Sequence, residues 1–192
     1  MLANSLFADG AAGAVLSARE PEPDRPAYRV ESFASELVTK GESHMAWDIG
    51  NHGFNIVLSS YVPDILGAEL KGMMEGLLQT RQMELQDIEE WAVHPGGRAI
   101  LDKVQQGLEL RPESLEVSRR VLRDYGNMSS ATVLFVLKEM LDTADMAEAM
   151  TCAMAFGPGL TVETAFLQRM GCRQAEGSST AVDLSAVEAE LA

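Results

Sequence analysis

The apolar positions change period several times along the chain, and each change marks an element. Residues 10–18, GAAGAVLSA, are small and then β-branched, which predicts a buried strand that neighbours approach closely. REPEPDRPA (19–27) holds three prolines among charges and reads as a solvated loop. YRVESFASELV (28–38) alternates loosely with period two, and FNIVLSSYVP (54–63) predicts a second strand stopped by Pro63. From Pro63 the spacing of Ile65, Leu66, Leu70, Met73, Met74, Leu77 and Leu78 is that of a helix opened by proline. IEEWAVHPGG predicts a short strand ending in a turn. Ile100, Val104 and Leu108 then repeat every four residues, so 97–109 reads as a helix. RPESLEVSRRVLRDYG predicts another, stopped at Gly126. MSSATVLFVLKEML is apolar on nearly all sides, the pattern of an interior helix. AMTCAMAF and GLTVETAFLQR predict two strands of a hairpin joined by GPG. The sum is an α/β domain in which buried helices cover a layered sheet over residues 1–170, followed by a flexible tail over 171–192.

Composition narrows the function classes. The 192 residues suffice for one sizeable core, with 46% apolar and 23% charged positions. Fifteen basic residues against 29 acidic ones give a net charge of −14, which argues against nucleic acid or an anionic membrane as partner. It also leaves little positive charge for a phosphorylated ligand. Cys152 and Cys172 have no metal-ligand spacing, no apolar run approaches a membrane span, and the chain reads as cytoplasmic. The small apolar start lacks a basic region and carries Asp9, so it is not read as a signal peptide.

The chemistry concentrates in two short stretches. In WAVHPGGRAIL, His94 ends an apolar strand, and on pattern alone a structural histidine is the commoner reading. Gly96 and Gly97 shift that balance, because paired glycines let a ligand approach the backbone just before a helix N-terminus. In YGNMSSA, Asn127 is either a helix N-cap or an amide donor aimed at a developing oxyanion. Neither residue decides the matter alone.

VHPGGRAILDKV, RDYGNMSSATVLFVLKEM and AFGPGLTVET resemble, in order and spacing, the C-terminal half of the type III polyketide synthases, the chalcone/stilbene synthase family. SLFADGAAGAVL fits the start of that half, so the resemblance runs over about residues 4–170, and HMAWDIGNHGFNIVLS is similar to bacterial members. It implies the C-terminal half of a thiolase-like fold, an acyltransferase working on acyl-CoA and malonyl-CoA without a further cofactor, and a homodimer in the complete enzyme. His94 matches the catalytic histidine and Asn127 the catalytic asparagine, which in the family hold the thioester oxygen of malonyl-CoA as it loses CO2. Phe7 and Phe54 fall on the two gatekeeper phenylalanines, whose ordinary alternative is a pair of core aromatics. Phe156, Gly157, Pro158 and Gly159 match the loop that shapes the cyclisation cavity, with Ala155 in place of the usual glycine. Ser129 falls on a cavity-lining serine, and Met45 on a position where plant enzymes carry glycine. His44 and His52 match no catalytic position.

The family's nucleophilic cysteine belongs to the other half, and no residue of this chain matches it. Cys152 sits in a predicted strand without a basic neighbour in sequence, and reads as a small buried hydrophobe. Two functions of different class follow. In one, the chain supplies His94 and Asn127 to a site that another polypeptide completes, and is inactive alone. In the other, it is a non-catalytic remnant or an interaction domain that pairs with a full-length relative. A free-standing hydrolase ranks last, because no GxSxG is present.

Overall fold

The structure, a computed structural model, describes residues 5–21, 25–143 and 147–170. Six strands and four α-helices alternate through it: β1 (Ala27–Leu37), β2 (Met45–Gly50), β3 (Gly53–Leu58), α1 (Val62–Gln79), β4 (Glu90–Val93), α2 (Arg98–Gly107), α3 (Glu116–Tyr125), α4 (Ala131–Thr143), β5 (Ala149–Gly157) and β6 (Thr161–Met170). Four strands form one sheet in the order β1-β6-β5-β4, and β2 and β3 form a separate two-stranded ribbon. Only β4 and β5 run parallel, since three helices separate them and a crossover is then required. The β5–β6 pair is antiparallel, with Phe156 opposite Val162 and Gly157 opposite Thr161, so the predicted hairpin forms around GPG.

Strand alternation sends side chains to opposite faces of the sheet and sorts the core in two. On one face, Trp91, Val93, Cys152, Met154 and Phe166 pack with Leu66, Leu70, Met74 and Leu78 of α1 and with Ile100, Leu101 and Val104 of α2. The four α1 residues recur at intervals of four, and each is at most 2% exposed. Burying a leucine of this kind stabilises the fold by roughly 1.5–3 kcal/mol. On the other face, Ala92, Ala153 and Leu167 meet Val121 of α3 and Val136 and Met140 of α4. Away from the strand ends that carry His94, Arg169 of β6 lies 3.0 Å from Glu90 of β4, and Thr151 of β5 donates to the same carboxylate at 2.7 Å. The pair, buried at Arg169 and partly buried at Glu90, clamps three strands together.

Three expectations need correction. Residues 10–18 form no strand: they lie exposed, with Val15 97% and Leu16 85% accessible, because no sheet edge reaches them among the described residues. MSSATVLFVLKEML does form a helix, but it is packed on one face only. Thr132, Val136 and Met140 are buried, while Val133, Leu134, Phe135 and Leu137 stay half-buried. The third concerns β2, whose pairing with β3 sets Trp47 opposite Ile56 and Ile49 opposite Phe54. Pattern reading passed over β2 because Asp48 and Gly50 interrupt the apolar run, although the alternation Met45, Trp47, Ile49 is there. The helix after Arg111 opens as a 3-10 turn over Pro112–Leu115 before α3 begins. The tail over 171–192, Cys172 included, lies outside the described residues. Among those described, no helix is long and apolar enough to cross a membrane.

Candidate active site

His94 follows β4 directly, and its N–H donates to Met154 O at 2.7 Å, which extends the parallel ladder by one bond. It thus stands at the C-terminal ends of the parallel pair, the end of an α/β sheet where ligands bind. Pro95 turns the chain away, and Gly96 N–H donates back to His94 O at 2.9 Å. A Cβ at Gly96 would lie 3.7 and 3.8 Å from His94 Cδ2 and Nε2, so glycine here leaves that edge of the ring uncovered by its neighbour. The imidazole is only 8% exposed, and burial pushes its pKa from 6.5 down to about 4. At neutral pH it is an uncharged ring carrying one N–H.

Asn127 arrives from the other direction, on the turn between α3 and α4. Its side-chain Oδ1 accepts from Ser129 N–H at 2.9 Å, a turn in which asparagine mimics the backbone. Only the oxygen can accept, so the amino group must face the other way, and Nδ2 donates to Gly96 O at 3.3 Å. The residue is 4% exposed. The two sequence-predicted donors are therefore brought to one short turn, His94-Pro95-Gly96-Gly97, from separate parts of the chain.

A third segment staples them. Asn127 N–H donates to Leu6 O at 3.0 Å, Ala8 N–H donates to Asn127 O at 2.9 Å, and Phe7 bridges Asn127 in parallel. A Cβ at Gly97 would meet the Leu6 methyls at 3.7 Å, so Leu6 reaches both loops. Phe7 is thereby set beside Asn127, with 41% of its surface open. Ser129 is exposed and holds a left-handed backbone with φ of 58°. Leu6 carries no sequence signal of its role; it is one apolar residue among several.

The remaining predicted residues form a second group. Phe156 shares the strand end with His94, but its ring packs on the core between the sheet, α1 and α2. Gly159, with φ of 124°, suits a residue without Cβ, and its N–H donates to Met45 O at 3.0 Å. The Gly157-Pro158-Gly159 turn and Met45 are thus in contact, and Met45 leads into the ribbon whose tip bears Phe54. Phe54 is 67% exposed and lies 5.8 Å, centre to centre, from the Trp47 ring. Cys152 is fully buried on the α1 face. Burial pushes its thiol up to about 12 despite the opposing charge of Arg81, so it stays protonated.

The order of these elements matches a known pattern. The family described as chalcone and stilbene synthases, C-terminal domain, matches residues 29–171. The chain belongs to that family. A solved relative, PKS-I from the brown alga Ectocarpus siliculosus, is 27% identical and superposes with a TM-score of 0.70. The match covers 80% of this chain and 41% of that one, so the chain spans less than half the length of this relative. The chalcone/stilbene synthase assignment and the mixed α/β, thiolase-like architecture expected from the sequence both hold. The family match starts at Arg29. Leu6, Phe7 and the exposed residues 10–18 therefore precede the matched domain, yet the first two are pinned to its asparagine.

Proposed function

We propose that the chain is the donor half of a type III polyketide synthase site, and that His94 and Asn127 stabilise an enolate formed from malonyl-CoA. The observation that carries this reading is the orientation of Asn127: its oxygen is held within its own turn by Ser129 N–H, which turns the amino group toward the His94 loop, where Nδ2 meets Gly96 O. Decarboxylation breaks the bond to the carboxylate, CO2 leaves, and the electron pair becomes an enolate with its charge on the thioester oxygen. An uncharged imidazole N–H and an amide N–H in a desolvated site stabilise that oxygen more than the ground-state carbonyl, which is the requirement for catalysis. The enolate carbon then attacks the carbonyl of an acyl thioester held on a cysteine, forming a C–C bond as the C–S bond breaks and the cysteine leaves as thiolate.

That cysteine comes from a second polypeptide or segment, because Cys152 is buried and protonated and faces the wrong core. The exposed apolar surface supports this. Val15, Leu16, Trp47, Ile49, Phe54 and Ile56 are each 48% or more accessible, a density that marks a surface meant for a partner layer. Alone, the chain forms no acyl-enzyme.

The test combines the purified chain with the separately expressed remainder of the algal relative and follows CO2 release from malonyl-CoA. CO2 release that is lost in His94→Gln and in Asn127→Leu supports the donor role. Release that survives both substitutions overturns it. A starter acyl group found on Cys152 by intact-mass measurement would overturn the inactivity of the lone chain.

A further inference from the structure

Thr132, the second residue of α4, is fully buried, and both halves of its hydroxyl are in use. Its Oγ1 accepts from Met128 N–H at 2.8 Å and donates to Ser129 O at 2.9 Å. Its own N–H also donates to Ser129 O, at 3.1 Å. Threonine in the first turn of a helix often bonds backward and does no more than tidy the helix start. Here the two bonded residues are the ones that follow Asn127. Ser129 supplies the N–H that holds Asn127 Oδ1, and it does so from a left-handed backbone that a residue with a Cβ adopts only when its surroundings impose it.

We propose that Thr132 is a positioning residue for the Asn127 amide. The hydroxyl holds the Asn127–Met128 peptide by its N–H and the Ser129–Ser130 peptide by its C=O, so the peptide between them is fixed with Ser129 N–H aimed at Oδ1, and that bond in turn sends Nδ2 toward Gly96 O. Thr132 touches neither reacting atom. Without the hydroxyl, Ser129 can relax from its left-handed conformation, the bond to Oδ1 is lost, and the amide is free to rotate. The catalytic consequence rests on the donor-half reading above; the orientation of the amide does not.

The experiment therefore has two arms. In 15N-labelled full-length chain, the side-chain NH2 resonances of Asn127 are compared among wild type, Thr132→Val and Thr132→Ser. Thr132→Val, nearly isosteric, is expected to move both Asn127 resonances toward those of a solvated amide, while Thr132→Ser retains their positions. Unchanged Asn127 resonances in Thr132→Val, or displaced ones in Thr132→Ser, overturn the proposal, and the serine comparison decides if the valine variant does not fold. In the complemented enzyme, Thr132→Val is expected to lower kcat on the order of 10-fold with KM little changed, with serine restoring the rate. A moved amide with no activity in any variant would indict the donor-half reading and leave the positioning role standing.

Discussion

Two regions of this chain treat apolar side chains in opposite ways. Between the sheet, α1 and α2, residues such as Leu66, Leu70, Met74 and Met154 are at most 1% exposed and pack on both sides. In the β2–β3 ribbon and in residues 10–18, side chains just as apolar face water, with Ile49 at 87% and Val15 at 97%. Yet the ribbon register puts Trp47, Ile49, Phe54 and Ile56 on a single face, as a strand about to be covered would. The difference teaches that the chain finishes one core on its own and leaves another apolar face open. His94 and Asn127 belong to the finished part: every hydrogen bond that sets them comes from this chain. Phe7, Phe54 and the outer side of α4 belong to the open part.

The comparison can be broken most sharply in the finished core. Leu70→Ala is expected to lower the unfolding free energy by about 3 kcal/mol, within the usual range for a buried leucine, as measured by urea denaturation. A loss well under 1 kcal/mol would mean that this core is not packed as described. A comparable effect follows from pH. The unfolded chain protonates its histidine near 6.5 and the folded chain protonates His94 near 4. Between those values the unfolded state binds more protons, so stability falls as the pH drops through the window. The lowered pKa is expected to cost up to about 3 kcal/mol by pH 4, at 1.4 kcal/mol per unit. His94→Gln should lose this component of the pH dependence, and identical pH profiles for the two proteins would refute the buried, neutral imidazole.

Smaller effects sharpen the other side. Val15→Ser and Phe54→Ser are expected to shift the stability of the lone chain by no more than about 0.5 kcal/mol, because both side chains are mostly exposed. The same substitutions should weaken association with the completing half. Destabilisation of the lone chain beyond 1 kcal/mol would show that the open region is covered in solution. The smallest expected effect is none. Iodoacetamide at pH 8 should leave Cys152 unmodified in the native chain and label it only after denaturation, since a thiol pushed to about 12 offers almost no thiolate.

Much of the fold was legible in the sequence because most elements bury a face that obeys a single period. The four-residue spacing in α1 survives folding unchanged. The interruption of β2 by Asp48 and Gly50 hid a real strand. Residues 10–18 misled in the opposite direction, since strand composition specifies an extended segment but not whether a neighbour exists to pair with it. The site divides similarly. His94 and Asn127 were recognisable from the words around them, and Leu6 and Thr132 were not. A leucine and a threonine of common type acquire their roles only from contacts with residues far off or turned back upon themselves.

By itself, then, the sequence determined the family and the period and order of the core elements, and singled out His94 and Asn127 as candidates, because those depend on local pattern and residue type. The tertiary structure alone decided that His94 and Asn127 meet at one turn, that Asn127 turns its amino group toward Gly96, and that burial pushes the His94 pKa down to about 4. Those outcomes depend on burial and on hydrogen bonds between distant segments, which no local pattern encodes.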